Sequence, residues 1–145
     1  MGVLARLLRR RAPEPVVLDP DDPSLVVRVE AFDAARADSS VLAEAADRGL
    51  ALDEPLLMRH HLVALPDESA VARAGELLAQ DGYALSDPQP GPRGLTVLAT
   101  RTQVLTALSA SQERSRMAGL AQRLGGDVTG WDALGPDPQA AATGP

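Results

Sequence analysis

Two spacings of apolar residues alternate from residue 56 onward, and this alternation restricts the possible folds more than any other feature. Short apolar runs typical of β-strands occupy 56–65, 83–86, 95–100 and 127–131. The ranges 68–81 and 103–124 carry apolar residues three or four positions apart, the period of an amphipathic helix. The order strand, helix, strand, strand, helix, strand is the split β-α-β arrangement. We therefore predict an α+β fold, a ferredoxin-like βαββαβ sandwich with both helices on one face of an antiparallel sheet.

The residues around the first helix support these boundaries. The run 56–65 (LLMRHHLVAL) is more continuously apolar than the other strands, which favours a central position in the sheet. Pro66 ends this strand, and Asp67 is suited to cap the helix 68–81. Gly82 is suited to end that helix, because glycine readily adopts the left-handed conformation.

The longer helix, 103–124, is expected to start after a cap at Thr100 or Thr102. Its apolar stripe consists of Val104, Leu105, Leu108, Met117, Leu120, Ala121 and Leu124. Before it, the range 87–94 (DPQPGPRG) is so rich in proline that we expect an irregular turn rather than a strand.

An additional strand and a short helix are predicted ahead of this unit, at 25–32 and 41–48. Alternation in the strand places three residues on one face: Val27, Val29 and Ala31. Ser39 or Ser40 is suited to cap the short helix. We expect residues 1–24 to be a basic, proline-rich and flexible extension, 25–134 to be one α+β domain, and 135–145 to be a disordered tail.

Charge and cysteine content exclude several classes of function. The net charge is −6, which disfavours direct binding to the phosphate backbone of a nucleic acid. The chain has no cysteine, so disulfides and thiolate chemistry are excluded. The absence of cysteine fits a reducing compartment, and we expect a cytoplasmic protein. Residues 1–11 mix leucines with four arginines, and they are interpreted either as a frayed terminus or as a basic helix that contacts a membrane surface.

His60 and His61 are the first candidates for catalytic or metal-binding residues. Neighbouring residues of a strand point to opposite faces, so one imidazole is expected to face the helices and the other the solvent or a partner. The pair therefore cannot ligate one metal ion in a regular strand, and the chain lacks the GxSxG motif of α/β-hydrolases. We expect no catalytic residue, no metal and no cofactor, with a small hydrolase-like or metal-dependent enzyme using His60 or His61 as the alternative.

Large aromatic side chains are rare, since the chain has one tryptophan, one tyrosine and one phenylalanine. Each is able to organise a core or a binding surface. For Trp131 and Tyr83 we favour packing in the core.

Four pieces of sequence carry a family resemblance. They are Arg59-His60-His61-Leu62, Asp81-Gly82-Tyr83-Ala84-Leu85-Ser86-Asp87-Pro88, the long helix ending in Leu120-Ala121, and Val128-Thr129-Gly130-Trp131-Asp132. In this order and spacing, over about residues 38–134, they resemble the family of the regulator of ribonuclease E activity B. Val128-Thr129 stands where that family has tyrosine and aspartate.

The resemblance implies a non-catalytic interaction domain that binds ribonuclease E, or another RNA-processing protein, and thereby modulates RNA processing or decay. Such an inhibitor occupies a surface of the nuclease and needs no active site of its own. The candidate interaction and signature residues are His60, His61, Tyr83, Gly130 and Trp131.

Overall fold

The computed structural model describes residues 16–142. Within them, the strands are β1 (Leu25–Ala31), β2 (Leu56–Leu65), β3 (Ala84–Leu85), β4 (Gln89–Gly91), β5 (Gly94–Gln103) and β6 (Asp127–Pro136). The helices of the same part of the chain are α1 (Asp38–Asp47), α2 (Glu68–Ala79), α3 (Ala107–Arg123) and α4 (Pro138–Ala142). The basic segment 1–11, with its predicted membrane contact, lies outside the described residues.

The strands form one antiparallel sheet in the order β1-β6-β2-β5-β3, and β4 also pairs with β5. The α+β class and the predicted order of elements from residue 56 are confirmed. β2 lies between β5 and β6, as its continuous apolar character predicts. The predicted N-terminal strand becomes the edge strand β1, beside β6.

Helices α1, α2 and α3 pack on one face of this sheet, which we call the helix face. Around α1 the core contains Val29, Met58 and Trp131, and between α2 and α3 it contains Leu62 and Val97. None of these three helices packs on the other face, which we call the open face. Residues 18–21 run along part of it, where the Leu18 amide donates to Thr102 Oγ1 at 2.9 Å. No helix of the described chain is both long and apolar enough to cross a bilayer.

The residues predicted to start and to end α2 are confirmed, although the helix is shorter than predicted. Asp67 is the N-cap, and its carboxylate accepts a hydrogen bond from the Ala70 amide at 2.9 Å. The helix ends at Ala79, two residues before the predicted end, and Gly82 follows with a φ of +82°. The polypeptide therefore turns directly into the buried Tyr83.

The start predicted for α3 is wrong. Thr100 and Thr102 lie within β5, because hydrogen bonding to β2 continues through Gln103. The N-cap is Thr106, whose hydroxyl accepts from the Ser109 amide while Ser109 Oγ accepts from the Thr106 amide. Because the helix starts four residues late, two members of the predicted stripe do not reach the core: Val104 is 46% exposed and Leu108 is 67% exposed.

The structure also corrects the predictions for the N-terminal elements. A register shift between Val27 and Val29 interrupts the alternation of β1, so Val29 and Ala31 are buried while Val27 is 47% exposed. Helix α1 starts at Asp38 after the N-cap Ala37, so neither Ser39 nor Ser40 is the cap.

Two segments predicted to be irregular contain regular structure. The proline-rich range 87–94 includes β4, which pairs with the start of β5. Strand β6 does not end near Trp131 but continues to Pro136, and α4 follows. The part of β6 after Trp131 pairs with most of β1. Strand β6 therefore extends as far as β1 supplies hydrogen-bonding partners, to Pro136 opposite Leu25.

Candidate protein-interaction site

His60 and His61 lie on opposite faces of β2, as alternation in a strand predicts. His60 is 1% exposed and faces the helices, where its ring lies 5.9 Å from that of Tyr83. His61 lies on the open face, and its side chain is 22% exposed. Of the two imidazoles, His61 is therefore the one that a protein partner can reach.

Asp132 holds two side chains together on the open face. Arg59 donates from Nε to Oδ1 at 2.9 Å and from Nη2 to Oδ2 at 2.5 Å, forming a bidentate ion pair. His61 Nε2 lies 2.9 Å from the same Oδ1. Burial alone raises the pKa of a carboxyl, but hydrogen bonds from His61 and Arg59 outweigh it and lower the pKa of Asp132. An ionised, nearly buried carboxylate thus fixes a guanidinium and an imidazole that both remain partly exposed.

Gly130 and Trp131 serve opposite faces of the sheet. Gly130 has a φ of +146°, and a Cβ atom there would lie 2.3 Å from the Ala31 carbonyl oxygen and 2.8 Å from Phe32 Cδ1. Because no side chain fills this position, Phe32 reaches His61, with the rings edge to face at 4.9 Å. Phe32 itself is 41% exposed, so it extends the Arg59–His61 pair into a surface with an apolar side.

Trp131 is fully buried, in agreement with the interpretation of core packing. Its indole Nε1 donates to Asp38 Oδ1 at 3.1 Å. Arg114 Nη2 lies 2.7 Å from the same oxygen and 3.2 Å from the carbonyl oxygen of Ala31, to which it donates. This network joins α1, α3, β1 and β6 around the buried indole, and it makes Trp131 a structural rather than a contact residue.

Tyr83 also belongs to the core, beneath the guanidinium of Arg101 at 4.2 Å from the ring centroid. Arg101 and Gln103 both bind the carboxylate of Glu113. Burial first, and then Glu113, raises the pKa of Tyr83. Burial, followed by the positive charge of Arg101, lowers the pKa of His60 to about 4. His60 is therefore a neutral imidazole at pH 7, and neither side chain is available to a partner.

A groove of about 720 Å³ adjoins the open face at Phe32. It follows the outer edge of β1 and is closed on its other side by α1, with Arg36 and Glu44 joined by an exposed ion pair at 2.6 Å. A second groove, of about 350 Å³, lies near Arg59 and Thr100 on the open face. Arg59, His61, Phe32 and Asp132 form a group that we call the Asp132 cluster. One groove adjoins it at Phe32 and the other at Arg59.

The alternative of an enzyme using His60 or His61 has limited support in this geometry. Among residues 16–142, no three His, Asp or Glu side chains are grouped so that they could hold a metal ion. His61 does lie within hydrogen-bond distance of Asp132, but that carboxylate already binds Arg59. Neither imidazole lines either of these two grooves. The enzyme hypothesis stays a prediction.

The residues missed by sequence reasoning are Phe32, Arg59 and Asp132. Arg59 and Asp132 stand within the quoted sequence pieces, but their pairing depends on the register between β2 and β6, in which they lie opposite each other. The sequence does contain a signal for this site, since residues two positions apart in a strand share a face. Arg59 and His61 are spaced in this way, and so are Gly130 and Asp132.

Comparison with known proteins gives one match. Residues 35–133, more than half of the chain, match the family model described as regulator of ribonuclease activity B. No curated protein matches, and no solved structure matches. The matched range begins just before α1 and ends within β6, so it includes Arg59, His61 and Asp132 but not Phe32. The chain belongs to the family of the regulator of ribonuclease activity B.

Proposed function

We propose that this protein is a non-catalytic, cytoplasmic regulator that binds ribonuclease E and reduces RNA cleavage, and that it binds through the open face. Membership of a family of regulators of ribonuclease activity supports the general role. The finer statement, that ribonuclease E or a related RNA-processing protein is the partner, rests on the resemblance of the sequence pieces.

The arrangement around Asp132 is the observation that carries the proposal. It collects Arg59, His61 and Phe32, a cation, an imidazole and an exposed aromatic ring, on the face that α1, α2 and α3 leave uncovered. Aromatic and arginine side chains are enriched in the cores of protein interfaces and, for tryptophan, tyrosine and arginine, among the residues that contribute most to binding. Here they are held in place before binding, which lowers the entropy lost when a partner docks.

Cleavage of a labelled RNA by purified full-length ribonuclease E, with increasing amounts of the protein, tests this proposal. We expect inhibition that saturates, together with direct binding in calorimetry. Phe32→Ser is expected to weaken binding about tenfold, because it removes the apolar part of the surface. Glu30→Arg provides a second variant on the open face, since Glu30 lies opposite Asp132 in β6 and is exposed.

Leu108→Ser is the matched control. It also removes a large exposed apolar side chain, but from the start of α3, which packs on the helix face. Circular dichroism would verify that the three variants remain folded. Absence of both binding and inhibition by the wild type would refute the function. Equal inhibition by wild type, Phe32→Ser and Glu30→Arg would retain the function and exclude the open face as the site.

A further inference from the structure

A separate groove lies on the helix side of the molecule, between α2 and α3. Its volume is about 340 Å³. Its apolar residues are Leu77, Leu120 and Leu124, of which Leu120 is 3% exposed and the others are partly buried. Its polar lining is Gln80 with the guanidinium-bearing side chains of Arg73, Arg116 and Arg123, and no carboxylate lines it among residues 16–142.

The positive charge of this lining is only loosely compensated. Arg73 Nη1 lies 3.2 Å from Glu76, with both side chains at least 60% exposed. Arg116 pairs with Asp81, again with exposed side chains. Arg123 forms no ion pair within the described part of the chain. Exposed ion pairs contribute roughly 0–1 kcal/mol, so carboxylates of an incoming partner are able to replace Glu76 and Asp81 at little cost.

We propose that the groove between α2 and α3 binds an acidic segment of a partner protein that also presents an apolar side chain. The apolar side chain would pack on Leu77, Leu120 and Leu124, while flanking carboxylates would pair with the arginines. The lining of the groove is positive although the net charge of the whole chain is −6. The charge complementarity to an acidic segment is therefore a property of the groove and not of the whole protein.

The same lining is less suited to RNA. Binding of single-stranded nucleic acid relies on aromatic side chains against which bases stack, and none lines this groove. The groove therefore favours a peptide with carboxylates over an RNA strand.

This binding site is distinct from the open face, since the sheet lies between them. A partner that docks on the open face leaves α2 and α3 accessible. The inference consequently stands or falls independently of the proposed contact with ribonuclease E, and its test uses different variants.

Fluorescence anisotropy with a short labelled peptide containing leucine between glutamates tests the proposal. The comparison probes are the same peptide with serine for leucine, the same peptide with lysine for glutamate, and a labelled single-stranded RNA. We expect the acidic, leucine-containing peptide to bind most tightly, with an affinity that falls as salt is raised. Amide shifts measured by NMR during the same titration should concentrate in α2 and α3.

Charge reversal provides the decisive variants. The double variant Arg73→Glu with Arg123→Glu should weaken peptide binding by about tenfold or more, through lost attraction and new repulsion. Arg123→Gln should act in the same direction but less, and it avoids placing an acid at the end of α3. Arg93→Glu is the matched control, because Arg93 is exposed in the turn between β4 and β5, away from the groove.

Three outcomes would overturn the inference. They are equal affinity of the wild type and the double variant, tighter binding of the RNA than of the acidic peptide, and NMR shifts confined to the sheet. Arg93→Glu changes the net charge by −2 and the double variant by −4. A loss of binding free energy in Arg93→Glu about half that of the double variant would therefore show that overall charge rather than the groove determines binding.

Discussion

At the scale of single residues, the dipeptide Gly130-Trp131 shows how two neighbouring residues of one strand meet opposite steric demands. Gly130 clears space on the open face, so that β1 approaches and Phe32 reaches His61. Trp131 fills the helix face and anchors Asp38. One position needs the smallest side chain and the next needs the largest, because adjacent strand residues serve different faces.

Replacement of Gly130 by alanine should destabilise the protein by about 2–3 kcal/mol, because the new Cβ would overlap the Ala31 carbonyl at an unfavourable φ. Gly119→Ala is the control, since Gly119 lies inside α3 and its Cβ would meet open space. That substitution should stabilise the helix by about 0.5–1 kcal/mol. Urea unfolding of both variants measures the difference, and loss of stability in both would contradict the steric explanation.

His60 should make stability depend on pH. Its folded-state pKa of about 4 lies below the ordinary value of 6.5, so the unfolded state binds the proton first on acidification. The contribution is complete above pH 6.5 and is lost as the pH falls towards 4, by on the order of 3 kcal/mol. His60→Leu should flatten the free energy of unfolding over this range. An unchanged slope in His60→Leu would show that other groups cause the dependence.

At the scale of elements, the sequence predicts the presence of helices and strands more accurately than it predicts the residues at which they start. Asp67 was recognisable as a cap because Pro66 and a clear apolar stripe surround it. The start of α3 was missed because Thr100, Thr102 and Thr106 are equivalent in sequence, and only pairing with β2 shows that the first two belong to β5. Likewise, Asp38 starts α1, but its carboxylate binds Trp131 and Arg114 instead of capping.

Two alanine variants separate a cap from a residue that only looks like one. Thr106→Ala should cost about 1 kcal/mol, because it removes the hydroxyl that accepts from the Ser109 amide. Ser39→Ala should change the free energy of unfolding by less than about 0.5 kcal/mol, since Ser39 is exposed and follows the N-cap of α1. Thermal unfolding of the two proteins checks this, and equal effects would contradict the assigned cap.

At the scale of the whole molecule, the elements that precede the βαββαβ unit are part of one structure. β1 extends the sheet beside β6, and α1 shares the core around Trp131. The α+β class and the separation of His60 from His61 followed from periodicity alone. The Asp132 cluster did not, because it needs the register of β2 against β6 and the path of Phe32 over Gly130.

Asp38→Ala tests this integration. It would leave the partly buried Arg114 without its carboxylate and the buried Trp131 indole without its acceptor, at an expected cost of about 1–3 kcal/mol. Asp47→Ala is the control, because Asp47 is exposed at the end of the same helix. Tryptophan fluorescence and far-UV circular dichroism should report one common transition. Separate transitions would mean that the N-terminal elements unfold on their own.

The register shift in β1 has a consequence for how the protein behaves at high concentration. β1 is the outer strand of the sheet, and such strands can recruit strands of other molecules into aggregates. The irregularity between Val27 and Val29, with Arg28 at its centre, interrupts the even row of amides and carbonyls that amyloid-like stacking requires. A substitution that removed this irregularity would make β1 a more regular strand and would lower the solubility of the protein.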